Sequence, residues 1–112
     1  MKSFLALFVG ILAGISQPCL ASDVTGKIVN IEIDSDIAGN VVFIQIDTAK
    51  TNTPACQTNG WSFVLPLADV TSKNMYAMLL AAKATQMSVR VRGVGMCDVF
   101  SSVETATGIG LP

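Results

Sequence analysis

The chain has 112 residues, seven Lys and Arg against eight Asp and Glu, a formal net charge of −1 and no histidine. Nothing in that balance suggests nucleic-acid binding, which needs a basic face. The missing histidine removes Ser-His and Cys-His nucleophilic catalysis, and a zinc site loses its usual ligands once the cysteines pair.

Met1 and Lys2 precede an apolar run over residues 4–15, and "SQPCLAS" follows it. Cys19 and Ala21 stand at the −3 and −1 positions of a small-residue cleavage site, the layout of a secretory signal peptide cut after Ala21. The run is too short to span a hydrocarbon core of about 30 Å. A lipoprotein reading through Cys19 is opposed by Pro18 directly before it. The expectation is an exported protein, periplasmic or secreted. Residues 1–21 form its leader and 22–112 its single small domain, with no membrane insertion after cleavage.

Cys19 leaves with such a leader, so Cys56 and Cys97 remain. An isolated pair in a small exported domain reads as a structural disulfide, because a redox pair prefers C-x-x-C spacing. Closing a loop of about 40 residues stabilises the fold by roughly 4 kcal/mol in the chain-entropy model.

In residues 24–33, "VTGKIVNIEI", apolar and polar positions alternate, with Val29, Ile31 and Ile33 on one face and Ile28, Asn30 and Glu32 on the other. "DSDIAGN" supplies turn residues, and "VVFIQID" resumes a strand with Val42, Ile44 and Ile46 on its apolar face. The two runs read as a hairpin. Residues 48–60 are a loop by composition. "WSFVL" is a third strand ended by Pro66. A helix then starts with Thr71 or Ser72 as N-cap and runs to about Thr85. "SVRVRGVG" is a fourth strand, "DVFSSVET" a weaker fifth, and "ATGIGLP" an irregular tail.

Three strands, one helix and two strands, mainly β with one helix (α+β), suit a five-stranded OB-like Greek-key barrel with the helix covering its open side. The alternative is an open sheet with a helix packed on one face. At about 100° per residue, Met75, Tyr76, Met78, Leu79 and Leu80 cover one broad side of the helix. Ala77, Ala81 and Ala84 fall on the other, where a solvated helix normally carries charge. Either alanine serves there as the best helix former, or that side is an oligomer face.

"CQTNGWSFVLPL" followed by "NMYAMLLAAKATQMSVRVRGVGMCD" resembles the small exported bacterial proteins related to the subtilase cytotoxin B subunit. The shared features are Cys56 upstream of Trp61, the Met75-Tyr76 pair, Leu79-Leu80-Ala81-Ala82, the valine-alternating strand and Cys97. The resemblance covers residues 56–98 and implies an OB-type fold, a disulfide and a pentameric homo-oligomer with helices lining its centre. Toxin-type members bind cell-surface glycans and carry an exported catalytic A subunit. No glycan-contacting residue of the family is carried over to a position of this chain.

Other chemistry is sparse. No glycine loop has the Lys and following helix of a phosphate site. Asp34 and Asp36 stand two apart as in a calcium loop, but further ligands do not follow at that spacing, so they read as turn caps. Acid/base work across a cleft would need two carboxylates from a set such as Glu32, Asp47 and Glu104. Arg90 and Arg92 share one strand face. They form either a solvated face that discourages edge pairing, a subunit contact, or a site for an acidic sugar through bidentate bonds. Trp61 reads as core from its alternation with Phe63 and Leu65, or as a platform for a sugar ring.

The reading is therefore a non-enzymatic exported binding module without cofactor or metal, with a glycan as its candidate ligand. The alternative is a periplasmic protein of structural or stress-related role with the same fold and no sugar site.

Overall fold

Exposed Asp23, Thr25 and Lys27 alternate with buried Val24, Gly26 and Ile28, making the first half of β1 (Asp23–Asp34) a half-buried strand. The computed structural model describes residues 21–36 and 39–112. The expected leader, apart from Ala21, lies outside them.

β1 pairs antiparallel with β2 (Val41–Ile46), and the register shifts between Ile28 and Asn30. That bulge inverts the parity of everything beyond it. Ile31 packs against the core, while Val29 is 47 % and Ile33 54 % exposed. The expected face of Val29, Ile31 and Ile33 is thus corrected: Ile28 turns inward, and only Ile31 of the three follows it.

β2 is buried on both faces. Val42, Ile44 and Ile46 join the main core, whereas Val41 and Phe43 join a second cluster with Val64 and Val103. β3 (Phe63–Pro66) pairs antiparallel with β2. It begins later than "WSFVL" suggests.

The helix α1 (Val70–Thr85) is capped by Asp69 rather than Thr71 or Ser72. Asp69 Oδ1 accepts the Ser72 N–H at 2.8 Å and Ser72 Oγ accepts the Asp69 N–H at 3.1 Å. This reciprocal capping satisfies two donors that would otherwise be orphaned at the helix start. Ser72, Leu79 and Ala82 are buried, with Met75 and Tyr76 packed on the same core. Leu80, expected on the apolar side, is 45 % exposed.

β4 (Ser88–Gly93) pairs antiparallel with β1 and with β5 (Ala106–Gly110). The last strand therefore lies in the tail read as irregular, and "DVFSSVET" forms turns with isolated bridges instead. The sheet runs β3-β2-β1-β4-β5. An isolated parallel bridge joins Val64 of β3 to Thr105, the residue before β5. Among the described residues the fold is mainly β, five antiparallel strands with one helix.

The Cys56–Cys97 disulfide forms, with Cα atoms 6.1 Å apart. It ties the loop after β2 to the loop after β4. On that side of the sheet Trp61, Val99 and Phe100 complete the second cluster. The main core thus lies under α1, and a stapled pair of loops covers the opposite face.

Candidate functional site

Lys50 enters the sheet edge from the loop after β2, and its ammonium is satisfied on three sides. It donates to Ser62 O at 2.6 Å, Glu104 Oε1 at 3.1 Å and Gln57 Oε1 at 3.2 Å. The Phe63 ring lies beneath it, 4.2 Å from Nζ to centroid.

Glu104 is fully buried, just before β5. Its Oε2 accepts the N–H of Gly95 at 2.8 Å and of Ser22 at 3.1 Å. Gly95 adopts φ of 83°, which presents that N–H where a side-chain residue would be strained. Gly93 leaves the space itself, since a Cβ there would stand 2.0 Å from Glu104 Oε2.

Burial pushes the Glu104 carboxyl upward, but bonds from Ser22, Gly95 and Lys50 outweigh it and hold it below the usual range. Burial drives the Lys50 ammonium down, against the pull of Glu104. The two partners thus pull in opposite senses. The carboxylate decides, because three donors converge on it and the ammonium keeps an acceptor for each N–H. The pair is a buried ion pair, with side-chain exposures of 7 % and 0 %.

Gln57 links this pair to the surface. Its Oε1 also accepts the Glu104 N–H at 2.7 Å, and its Nε2 donates to Asn59 O and Trp61 O at 2.9 and 2.8 Å. Asn59 Oδ1 in turn accepts the Trp61 N–H at 3.1 Å. These bonds fix the loop that carries Trp61.

Trp61 is half-buried, packed on Phe43 with ring centroids 5.6 Å apart. The alternation with Phe63 and Leu65 breaks here. Those two face the main core and Trp61 the second cluster, because β3 starts only at Phe63. Beside Trp61 an open cleft of about 290 Å³ is lined by Asp47, Thr48, Thr53 and Asn59, with Lys50 and Gln57 at its inner side. Asp47 Oδ1 accepts the Lys27 N–H at 2.9 Å and the Thr48 hydroxyl at 3.1 Å.

The other expected residues lie elsewhere. Arg90 is fixed on Asp23 through Nε and Nη2, a bidentate surface pair. That bond raises Arg90 and lowers Asp23 from their ordinary values. Arg92 lies over Gly108, where a Cβ would come within 2.6 Å of its Nη2. Both arginines are exposed on β4, and neither is among the residues lining the cleft by Trp61. Ala77, Ala81 and Ala84 are exposed on α1 together with Leu80 and Val70.

The three carboxylates do not converge. Glu32 is exposed on β1, Asp47 lines the cleft and Glu104 is sealed inside. Asp34 Oδ1 accepts the Asp36 N–H at 2.7 Å, a local turn bond. Lys50 and Gln57, which organise the site, carried no sequence signal, since each sits alone in a polar loop.

The class these features define is a small, mainly β domain with one disulfide and a polar cleft beside an aromatic ring. No protein-family model matches the chain, no curated protein matches its sequence, and no solved structure matches its fold.

Proposed function

We propose that this chain is an exported, non-enzymatic binding module that takes a glycan in the cleft beside Trp61. The observation that carries this reading is the half-exposed indole at the rim of a cleft of about 290 Å³. Around it stand the Asp47 carboxylate, the Thr48 and Thr53 hydroxyls and the Asn59 amide. An aromatic face beside hydroxyl, amide and carboxylate groups suits a sugar ring, which offers apolar C–H faces and a rim of hydroxyls. Gln57 pre-organises the loop, which lowers the ordering cost of binding.

The antiparallel order β3-β2-β1-β4-β5, with a parallel bridge between Val64 and Thr105, supports reading the sheet as an OB-type barrel. The same reading takes residues 1–21 as a leader. It makes the chain a member of the toxin B-subunit-like group, with α1 packing through Ala77, Ala81 and Ala84 in a ring of five.

The experiment is a glycan array on the purified exported protein, followed by calorimetry with the best ligand and with Trp61→Ala. Binding lost in Trp61→Ala, with the unfolding midpoint retained, supports the cleft. No binding at high micromolar protein, or binding untouched by Trp61→Ala, overturns it. Light scattering tests the ring separately: a monomer at tens of micromolar ends that part of the proposal.

A further inference from the structure

Ser22 is only 1 % exposed, although it lies directly before β1 and beside exposed Ala21. Every polar group it offers is used. Its N–H donates to Glu104 Oε2 at 3.1 Å, its hydroxyl donates to Asn52 O at 2.8 Å, and its carbonyl accepts the Gly93 N–H at 2.8 Å. A residue at the margin of a domain is ordinarily frayed. This one is held by three segments and aims its nitrogen at a buried carboxylate.

We propose that the Ala21–Ser22 bond is a processing site and that the α-ammonium released at Ser22 becomes a second cationic partner of Glu104. Hydrolysis breaks the bond between the Ala21 carbonyl carbon and Ser22 N. Water supplies the hydroxyl of the new carboxyl, and the two protons reach the amine to give a carboxylate and an ammonium. One N–H of that ammonium keeps the existing direction to Oε2, and the others face the space left by Ala21, open to solvent.

The carboxylate thereby sits between two cations, Lys50 on Oε1 and the chain start on Oε2. Because Ser22 is buried in the folded domain, the bond is accessible only before folding. Cleavage of the unfolded chain during export then precedes docking, and the fold gains an ionic contact that the unprocessed chain lacks. This inference rests on the export reading and is independent of the glycan.

The charged groups at this nitrogen are Glu104 and Lys50, while Asp23 on the next residue turns outward to Arg90. An ammonium held by Glu104 has its folded-state pKa raised above an ordinary value of about 7.7–8.0. Its contribution is therefore complete below that range and disappears as pH rises through the folded value.

The test uses the full precursor, exported with its own leader, beside a version with one alanine inserted between Ala21 and Ser22. The insertion keeps Cys19 and Ala21 at −3 and −1, so the product gains one residue and Ser22 N stays an amide. Intact mass should place the native start at Ser22. The lengthened product should melt lower by about 4 °C or more near pH 6.5. That gap should close above the α-amine's folded pKa, and Lys50, common to both chains, cancels. In a Glu104→Gln background the insertion should have no effect, but the pH dependence alone decides the matter if that variant does not fold. A native start at another residue overturns the processing site. A start at Ser22 with equal melting across pH overturns the Glu104 contact and leaves export standing.

Discussion

Lys50 Nζ and Glu104 Oε1 meet at 3.1 Å across a sequence separation of 54 residues, with side-chain exposures of 7 % and 0 %. Removing either charge strands the other. Glu104→Gln should destabilise the domain by roughly 3–5 kcal/mol, as expected when one member of a buried pair is removed. Lys50→Met should cost a similar amount. The double variant should cost less than the two together, by about 0.5–3 kcal/mol, because the partners share a network. Urea unfolding of the four proteins checks this; strict additivity would show that the pair is not coupled.

The pH dependence follows from the same carboxylate. Its folded-state pKa lies below the unfolded value, so its contribution is complete above about pH 4.3 and is lost as pH falls through the folded value. Asp69, held down first by the Ser72 N–H, and Asp23, held down first by Arg90, act in the same direction. Thermal melts from pH 7 to 2 should stay level to about pH 5 and then fall. In Glu104→Gln the acid limb should be shallower.

The disulfide spans 41 residues in sequence, and reduction should cost roughly 4 kcal/mol in the chain-entropy model. A Cys56→Ala/Cys97→Ala protein should fold more weakly and lose order first around Trp61, Val99 and Phe100, where the stapled loops pack on Phe43. Tryptophan fluorescence should therefore respond before far-ultraviolet circular dichroism does. Coincident transitions would place the staple in one cooperative unit with the sheet.

Gly93→Ala tests the space around Glu104. The added methyl would stand 2.0 Å from Oε2 and 2.9 Å from the Phe63 ring, so the carboxylate must move off its donors. A loss of about 1–3 kcal/mol is expected for overpacking alone, and more if the Ser22 and Gly95 bonds break. Retained stability would mean that the Glu104 side chain relocates without penalty.

Much of the architecture was legible because it is written in local periodicity. β2, β4 and the helix to Thr85 follow from alternation and from a run of good helix formers. The Cys56–Cys97 pairing followed from counting. The helix cap was missed by two or three residues, since Asp69, Thr71 and Ser72 all favour that position and only the backbone at Asp69, extended at φ of −145°, selects among them.

Other features had no local signature. "ATGIG" is poor in β-formers, yet β4 holds it as β5, and Arg92 packs across the side-chain-free Gly108. "DVFSSVET" reads as a strand from Val99, Phe100 and Val103, but those side chains turn instead onto Phe43 and Val41. The bulge after Ile28 is equally silent in sequence, because it depends on what β2 and β4 each demand of one long strand.

By itself the sequence determined the first four strands, the helix, the cysteine pairing and the exclusion of histidine chemistry, since these depend on composition and on neighbours along the chain. Only the tertiary structure decided that Glu104 is buried, that Lys50 answers it, and that Ser22 docks against it. The reason is that burying a charge is tolerable only where distant segments converge with matching partners. Their convergence is a property of the folded chain, not of any one stretch.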